Sequence, residues 1–189
     1  MSATALPALN DWLLQQAGAA GLVSTWHGLR LVAADASTLR FGHCASHVPR
    51  AANANQIAFG LYLPGAEVML AASLHSVHEN ERQMLFQHID RLSSSDLLLM
   101  DRGYPCRLLV ALLNVRGIPF CMRVEKDGDA GFACVRDFLH ADLDEQVVVL
   151  RAPDKRDAAD YECPATQQKV RLIRHIASTG KARVLMTHD

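Results

Sequence analysis

Two aspartates interrupt apolar segments of this chain, and their positions predict metal-dependent chemistry. Asp35 lies within "LVAADAST", and Asp101 ends "LLLMD", which runs directly into Arg-Gly-Tyr-Pro. A carboxylate in or at the end of a core strand costs free energy unless it is paired or bound to a metal. If the two strands are neighbours, both carboxylates lie where α/β sheets bind ligands. Two such carboxylates favour the hard cations Mg²⁺ or Mn²⁺.

Two hard cations held about 3.5–4 Å apart stabilise both the attacking and the leaving oxygen when a phosphodiester is displaced. The spacing of Asp35 and Asp101 is compatible with phosphodiester chemistry but does not by itself select it. It also leaves a second interpretation open, in which each aspartate caps a turn or forms an ion pair with an arginine.

The apolar pattern upstream of residue 125 predicts an α/β fold with a mixed sheet. The hairpin around Pro64-Gly65 requires antiparallel pairing, whereas strands joined by a helix require parallel pairing. The stripe of Met84, Leu85, Ile89 and Leu92 predicts a helix of about three turns. The predicted elements are a helix at 7–20, a strand at 29–41, a loop at 42–55, strands at 56–63 and 66–74, a helix from 79, a strand at 96–101, a helix at 105–117 and a strand at 118–124.

Beyond Val124 the pattern changes to turn-rich and β-branched segments. Residues 125–131 predict a loop, 145–153 a strand, and the last segment two strands around 178–181. We expect no helix after about residue 140. This part is predicted to be a mostly β region.

Composition limits the classes of protein to consider. The chain has 189 residues, which fits one domain, and a formal net charge of −1, so it lacks the overall positive charge common in nucleic-acid binders. Its five scattered cysteines fit a reducing cytoplasm better than a disulfide framework. Neither a signal peptide nor an apolar run of about 20 residues is evident, so no membrane association is expected.

The string "DLLLMDRGYP", followed by a helical segment and "GIPFCMRV", closely resembles the second-aspartate segment of the DDE transposases of bacterial insertion sequences, in the IS-four group. "WHGLRLVAADASTLRF" resembles the first-aspartate segment of that family, "LYLPGAEVML" with "HENERQ" its hairpin and following helix, and "KVRLIRHIASTGKARVLMTHD" the end of its β insertion. The resemblance covers roughly residues 26–189.

This resemblance implies an RNase H-like, retroviral-integrase-type mixed sheet with a C-terminal, mostly β insertion. The domains would be a helical segment at 1–25, a partial catalytic core at 26–124 and the insertion region at 125–189. Asp35 and Asp101 would be catalytic residues that hold Mg²⁺ or Mn²⁺. The reaction would be phosphodiester hydrolysis at transposon ends followed by strand transfer, and Arg102 and Tyr104 would contact that DNA.

The chain departs from the family pattern in two places. Ala36 stands where glycine usually follows the first aspartate. The third carboxylate is expected on a helix with the pattern Tyr-x-x-Arg-x-x-x-Glu-x-x-x-x-x-x-Lys, and the sequence ends at Asp189 before such a segment. We therefore expect a truncated transposase with little or no catalysis. The alternative function is a DNA-binding or dimerising regulator, as a homodimer or with a full-length transposase.

Basic residues concentrate in the last two predicted strands and include Arg171 and Lys181. They predict phosphate contacts with DNA, and the alternative is a solvated strand face. A zinc site is disfavoured, because neither "GHCASH" at 42–47 nor "HSVH" at 75–78 has the second paired half that a structural zinc site needs. Cys106 near a helix start is disfavoured as a nucleophile, because no histidine partner is evident.

Overall fold

The computed structural model describes residues 5–39, 55–124 and 132–189. They fall into two compact units, one ending at Leu92 and one beginning at Ser93. Both contain helices and strands, so the predicted α/β class is confirmed. Almost all of the predicted loop at 42–55, with His43, Cys44 and His47, and the whole loop at 125–131 lie outside the described residues.

The first unit is an antiparallel sheet with helices before and after it. Its strand order is β4-β3-β2, with the short β1 also pairing with β2. The predicted first helix, first strand and hairpin are confirmed. The elements are α1 (Ala5–Ala19), β1 (Thr25–Trp26), β2 (Leu29–Leu39), β3 (Gln56–Leu63), β4 (Val68–Ser76), α2 (Glu81–Gln87) and a 3-10 helix (Ile89–Arg91).

Helix α2 is shorter than predicted. Asn80 caps its start by accepting hydrogen bonds from the backbone N–H groups of Arg82 and Gln83. The helix ends at Gln87, and the backbone N–H of His88 bonds to Leu85 and Phe86 carbonyl oxygens. The His88 ring stacks on Phe59 of β3, with the ring centroids 5.4 Å apart. The apolar stripe on which the longer prediction rested continues through the 3-10 helix, so the pattern did not show where α geometry ends.

The predicted apolar stripe is nevertheless buried. Met84 and Leu85 lie in α2, which contacts β2 and β3, while Ile89 and Leu92 lie in and after the 3-10 turn. The four side chains of the stripe therefore all face the interior, although the backbone changes from α to 3-10 geometry. Such short helices are stabilised by tertiary packing rather than by helix propensity.

The second unit has the strand order β5-β6-β9-β8-β7. Strands β5 and β6 are parallel and are joined by α3, whereas the other pairs are antiparallel. The predicted mixed pairing and the predicted final hairpin are confirmed. The elements are β5 (Asp96–Met100), α3 (Arg107–Val115), β6 (Phe120–Val124), α4 (Ala133–His140), β7 (Glu145–Leu150), α5 (Lys155–Asp160), β8 (Gln168–Ile176) and β9 (Ala182–His188).

Helix α3 is the crossover that places β6 beside β5. Its start is capped by Cys106, whose Sγ accepts from the backbone N–H of Leu109 at 3.4 Å, so the helix begins at Arg107, two residues later than predicted. Its end is followed by Gly117, whose φ of 63° is in the left-handed region that glycine adopts without strain. Five successive residues from Leu109 to Leu113 are buried, and α3 contacts β8.

The prediction of no helix beyond about residue 140 is wrong. Helix α5 begins after Asp154, whose side chain accepts from the backbone N–H groups of Arg156 and Asp157. Helix α4 lies in the region that was predicted to be mostly β, and it was also not predicted. It buries Val135 and Phe138, and it contacts β7. The two helices have only eight and six residues, so tertiary packing rather than propensity stabilises them, and the prediction missed both.

None of the helices in the described ranges has the length and apolar character required to cross a membrane.

Candidate active site

Asp35 lies in the middle of β2, where strand alternation decides its environment. Val32 and Ala34 are buried, whereas Asp35 is exposed. Since successive side chains of a strand point to opposite faces, Asp35 lies on the face opposite Ala34. Its partner across β3 is Gly60, which has no side chain to cover it. The carboxylate therefore avoids the burial cost that its apolar neighbours suggest.

Asp101 follows β5 directly. Along β5 the buried residues Asp96, Leu98 and Met100 alternate with the half-buried Leu97 and Leu99. The Asp101 side chain is 55 % exposed. Its backbone carbonyl accepts a hydrogen bond from the Tyr104 N–H at 3.2 Å, which closes a tight turn. A buried strand thus ends in an exposed carboxylate on a defined turn.

Arg123 of β6 forms an ion pair with Asp101. Its Nη2 lies 2.8 Å from Oδ1 and 3.3 Å from Oδ2 of the aspartate. The parallel register explains the meeting: Leu99 pairs with Cys121 and Met100 with Met122, so the next pair along is Asp101 and Arg123. The alternative interpretation, pairing with an arginine, therefore holds for Asp101.

This ion pair is at the surface, with the Arg123 side chain 34 % exposed. Exposed ion pairs contribute about 0–1 kcal/mol to stability. The pair therefore adds little to the stability of the fold. Arg123 was not among the residues proposed from the sequence. The alternation of "FCMRV" after a buried strand was the available signal, but the parallel register was needed to identify its partner.

The two predicted DNA-contacting residues after Asp101 differ in exposure. Arg102 is exposed, whereas Tyr104 is only 1 % exposed. A DNA contact by the Tyr104 ring would require it to leave its buried position. The DNA role of both residues stays a prediction.

The basic residues of the last hairpin are partly neutralised by acidic neighbours. Arg171 Nη1 lies 3.0 Å from Glu145 Oε1, and its Nη2 lies 4.0 Å from Asp189 Oδ1. Arg174 pairs with Asp142. Lys181 is exposed beside the turn, where its backbone carbonyl accepts from the Ala177 N–H at 3.0 Å. Lys181 is thus the better-placed of the two predicted residues for a phosphate contact.

The structure brings Asp101 and Arg123 together within the second unit, while Asp35 belongs to the first. A metal shared by Asp35 and Asp101 stays a prediction. Among residues 5–39, 55–124 and 132–189, no group of three or more histidine, cysteine, aspartate or glutamate side chains is arranged to hold a metal ion.

Comparison of this chain with the models of known protein families and with curated proteins finds no match.

Proposed function

We propose that this chain belongs to the DNA-processing machinery of a transposase with an RNase H-like catalytic core. The observation that supports the proposal most is the exposed carboxylate of Asp101 at the end of a buried strand, followed by Arg-Gly-Tyr in a tight turn. The parallel β5–α3–β6 unit and the antiparallel β2–β3–β4 meander are the elements such a core requires. The resemblance of the surrounding sequence to DDE transposases adds to this support.

The chemistry of the donor atoms fits Mg²⁺ or Mn²⁺. Asp35 and Asp101 both offer exposed carboxylate oxygens, which are the ligands that hard cations prefer. When bound, such a cation polarises a phosphodiester and stabilises the charge that develops during its cleavage. In this proposal each of the two carboxylates is a candidate cation ligand, and Arg102 and Arg123 supply cationic groups suited to the DNA phosphates.

The proposal predicts that Asp35→Asn and Asp101→Asn each weaken Mn²⁺ binding by at least about tenfold. An amide retains the size of the carboxylate but removes its negative charge, so the cation loses a charged ligand. Isothermal titration of the purified chain with Mn²⁺ measures the affinity.

The matched control is Asp144→Asn, which removes an exposed carboxylate from the second unit without touching the candidate site. This control is expected to retain the affinity of the unaltered chain. Equal Mn²⁺ affinity in all four proteins would contradict a metal role for Asp35 and Asp101.

A non-catalytic regulator is the second candidate function. The observation that favours it is the Asp101–Arg123 ion pair, which engages both carboxylate oxygens with a cation belonging to the protein itself. In this role the chain would bind transposon-end DNA, or associate with itself or with a full-length transposase, without cutting DNA.

DNA binding in either role predicts a phosphate contact by Lys181. We expect Lys181→Ala to weaken binding to all sequences similarly and to reduce the slope of log K against log salt by about one. Gel-shift titrations at several salt concentrations measure both quantities.

Lys155→Ala provides the control, since Lys155 is an exposed lysine of α5 and is not part of the basic hairpin. If Lys155→Ala and Lys181→Ala reduce the salt slope equally, the hairpin is not a specific DNA-facing surface.

A further inference from the structure

Four polar side chains of the first unit form a hydrogen-bonded cluster separate from Asp35. Ser73 Oγ lies 2.6 Å from His75 Nε2 and 2.7 Å from His88 Nε2. His75 Nδ1 lies 2.8 Å from Glu79 Oε2. His75 is only 7 % exposed, and each of its two ring nitrogens has a hydrogen-bond partner.

The local backbone explains how the cluster forms. Ser73 and His75 are two residues apart on β4, so their side chains share one face of the strand. After β4 the chain turns, with the Glu79 N–H bonding to the Ser76 carbonyl at 3.0 Å and the Ser76 N–H to Glu79 Oε1 at 3.2 Å. This turn places the Glu79 carboxylate against His75. His88 reaches Ser73 from the residue that ends α2.

The Glu79 carboxylate orients the His75 ring. The His75 side chain and the Ser76 N–H lower the pKa of Glu79, and its carboxylate accepts the Nδ1 proton of His75. Which atom donates in the two contacts of Ser73 Oγ depends on the tautomers of the His75 and His88 rings. A nucleophilic role for Ser73 requires the tautomer in which His75 Nε2 accepts the hydroxyl proton.

We propose that Ser73 is a nucleophile activated by His75, with Glu79 as a positioning residue, and that it accepts acyl groups from small esters. The distances match the arrangement in which a base lies within hydrogen-bond reach of a nucleophile and is oriented by a third group. Ser73 is partly exposed as a residue. The site is independent of the DNA chemistry proposed above.

The reaction proceeds in two balanced steps. Ser73 Oγ forms a bond to the ester carbonyl carbon, its proton moves to His75 Nε2, and the alcohol leaves with that proton as the acyl-oxygen bond breaks. Water then attacks the acyl-serine, with His75 taking the proton of the water and returning it to Ser73 Oγ. The products are the carboxylic acid and the alcohol, and no oxidant or cofactor is consumed.

The test uses p-nitrophenyl acetate and the full chain. Release of p-nitrophenolate gives the rate, and acid quenching followed by peptide mass mapping locates the acetyl group. We expect acetylation of Ser73, and a loss of about 100-fold or more of the serine-dependent rate in His75→Asn. Ser73→Ala is expected to abolish the acetylated peptide, while Ser37→Ala, at an exposed serine of β2 in the same unit, leaves rate and labelling unchanged.

Thermal melting of each variant separates chemistry from folding. If His75→Asn fails to fold, Glu79→Gln replaces it, because the Glu79 side chain is 35 % exposed and that of His75 only 5 %. In that variant a slower rate supports the proposal, and an unchanged rate contradicts the role of Glu79. The proposal is overturned if folded unaltered chain carries no acetyl group on Ser73, or if Ser73→Ala hydrolyses the ester as fast as the unaltered chain.

Discussion

Replacing Tyr104 by alanine is expected to lower the free energy of unfolding by about 3–5 kcal/mol. The ring is 1 % exposed and lies directly after the turn that carries Asp101. Truncation removes the burial of a large aromatic side chain and leaves a cavity that the surrounding side chains fill only in part. Urea denaturation followed by circular dichroism measures the change, and the expected result is a lower midpoint.

Tyr104→Phe separates the ring from its hydroxyl. It keeps the packing and removes only the polar group, so we expect a change of about 0.5–1.5 kcal/mol, well below that of the alanine variant. A loss below about 1 kcal/mol in Tyr104→Ala would contradict the buried position. The ring would then be exposed in solution, and the direct DNA contact predicted from the sequence would regain support.

The substitution Phe138→Ala is expected to have a similarly large effect, about 3–5 kcal/mol. Phe138 is fully buried and, with Val135, forms the inward side of α4. Since α4 has only eight residues, its stability depends on this packing rather than on helix propensity. Chemical denaturation measures the free energy, and far-ultraviolet circular dichroism follows the helix content.

Arg136→Ala is the matched control on the same helix. The Arg136 side chain is 64 % exposed, and its ion pair with Asp137 at 3.8 Å is at the surface, so the expected change is within about 0.5 kcal/mol. Equal effects of Arg136→Ala and Phe138→Ala would show that α4 is not packed as described, and would favour the mostly β region that the sequence pattern predicted.

Long segments with a clear apolar pattern were predicted well from the sequence. The hairpin of β3 and β4 has a Pro-Gly turn between two apolar runs, and the β5–α3–β6 unit has a short apolar strand on each side of an apolar helix ended by Gly117. In both cases local propensity, turn chemistry and burial favour the same structure, which is the condition under which sequence reasoning succeeds. In the short helices α4 and α5, local propensity, turn chemistry and burial do not all favour the same structure.

The candidate site also has features that the sequence predicted and features that only the tertiary structure revealed. The sequence places Asp35 and Asp101 in or at the end of apolar strands, but neither "LVAADAST" nor "LLLMD" alternates clearly between apolar and polar residues, so only the structure showed that both carboxylates are exposed. The partner of Asp101 was likewise not predictable, because Arg123 meets it only through the parallel register of β5 and β6.

The local order of strands, hairpin and crossover helix was therefore determined by the sequence itself, since hydrophobic period and turn residues act over a few neighbouring positions. Tertiary structure decided where α2 ends, that Tyr104 is buried, and that Ser73 meets both His75 and His88. Of these, the contact between Ser73 and His88 joins residues of different elements, and Tyr104 is buried by packing rather than by a local pattern. Such contacts form only when the elements pack, and no short-range pattern encodes them.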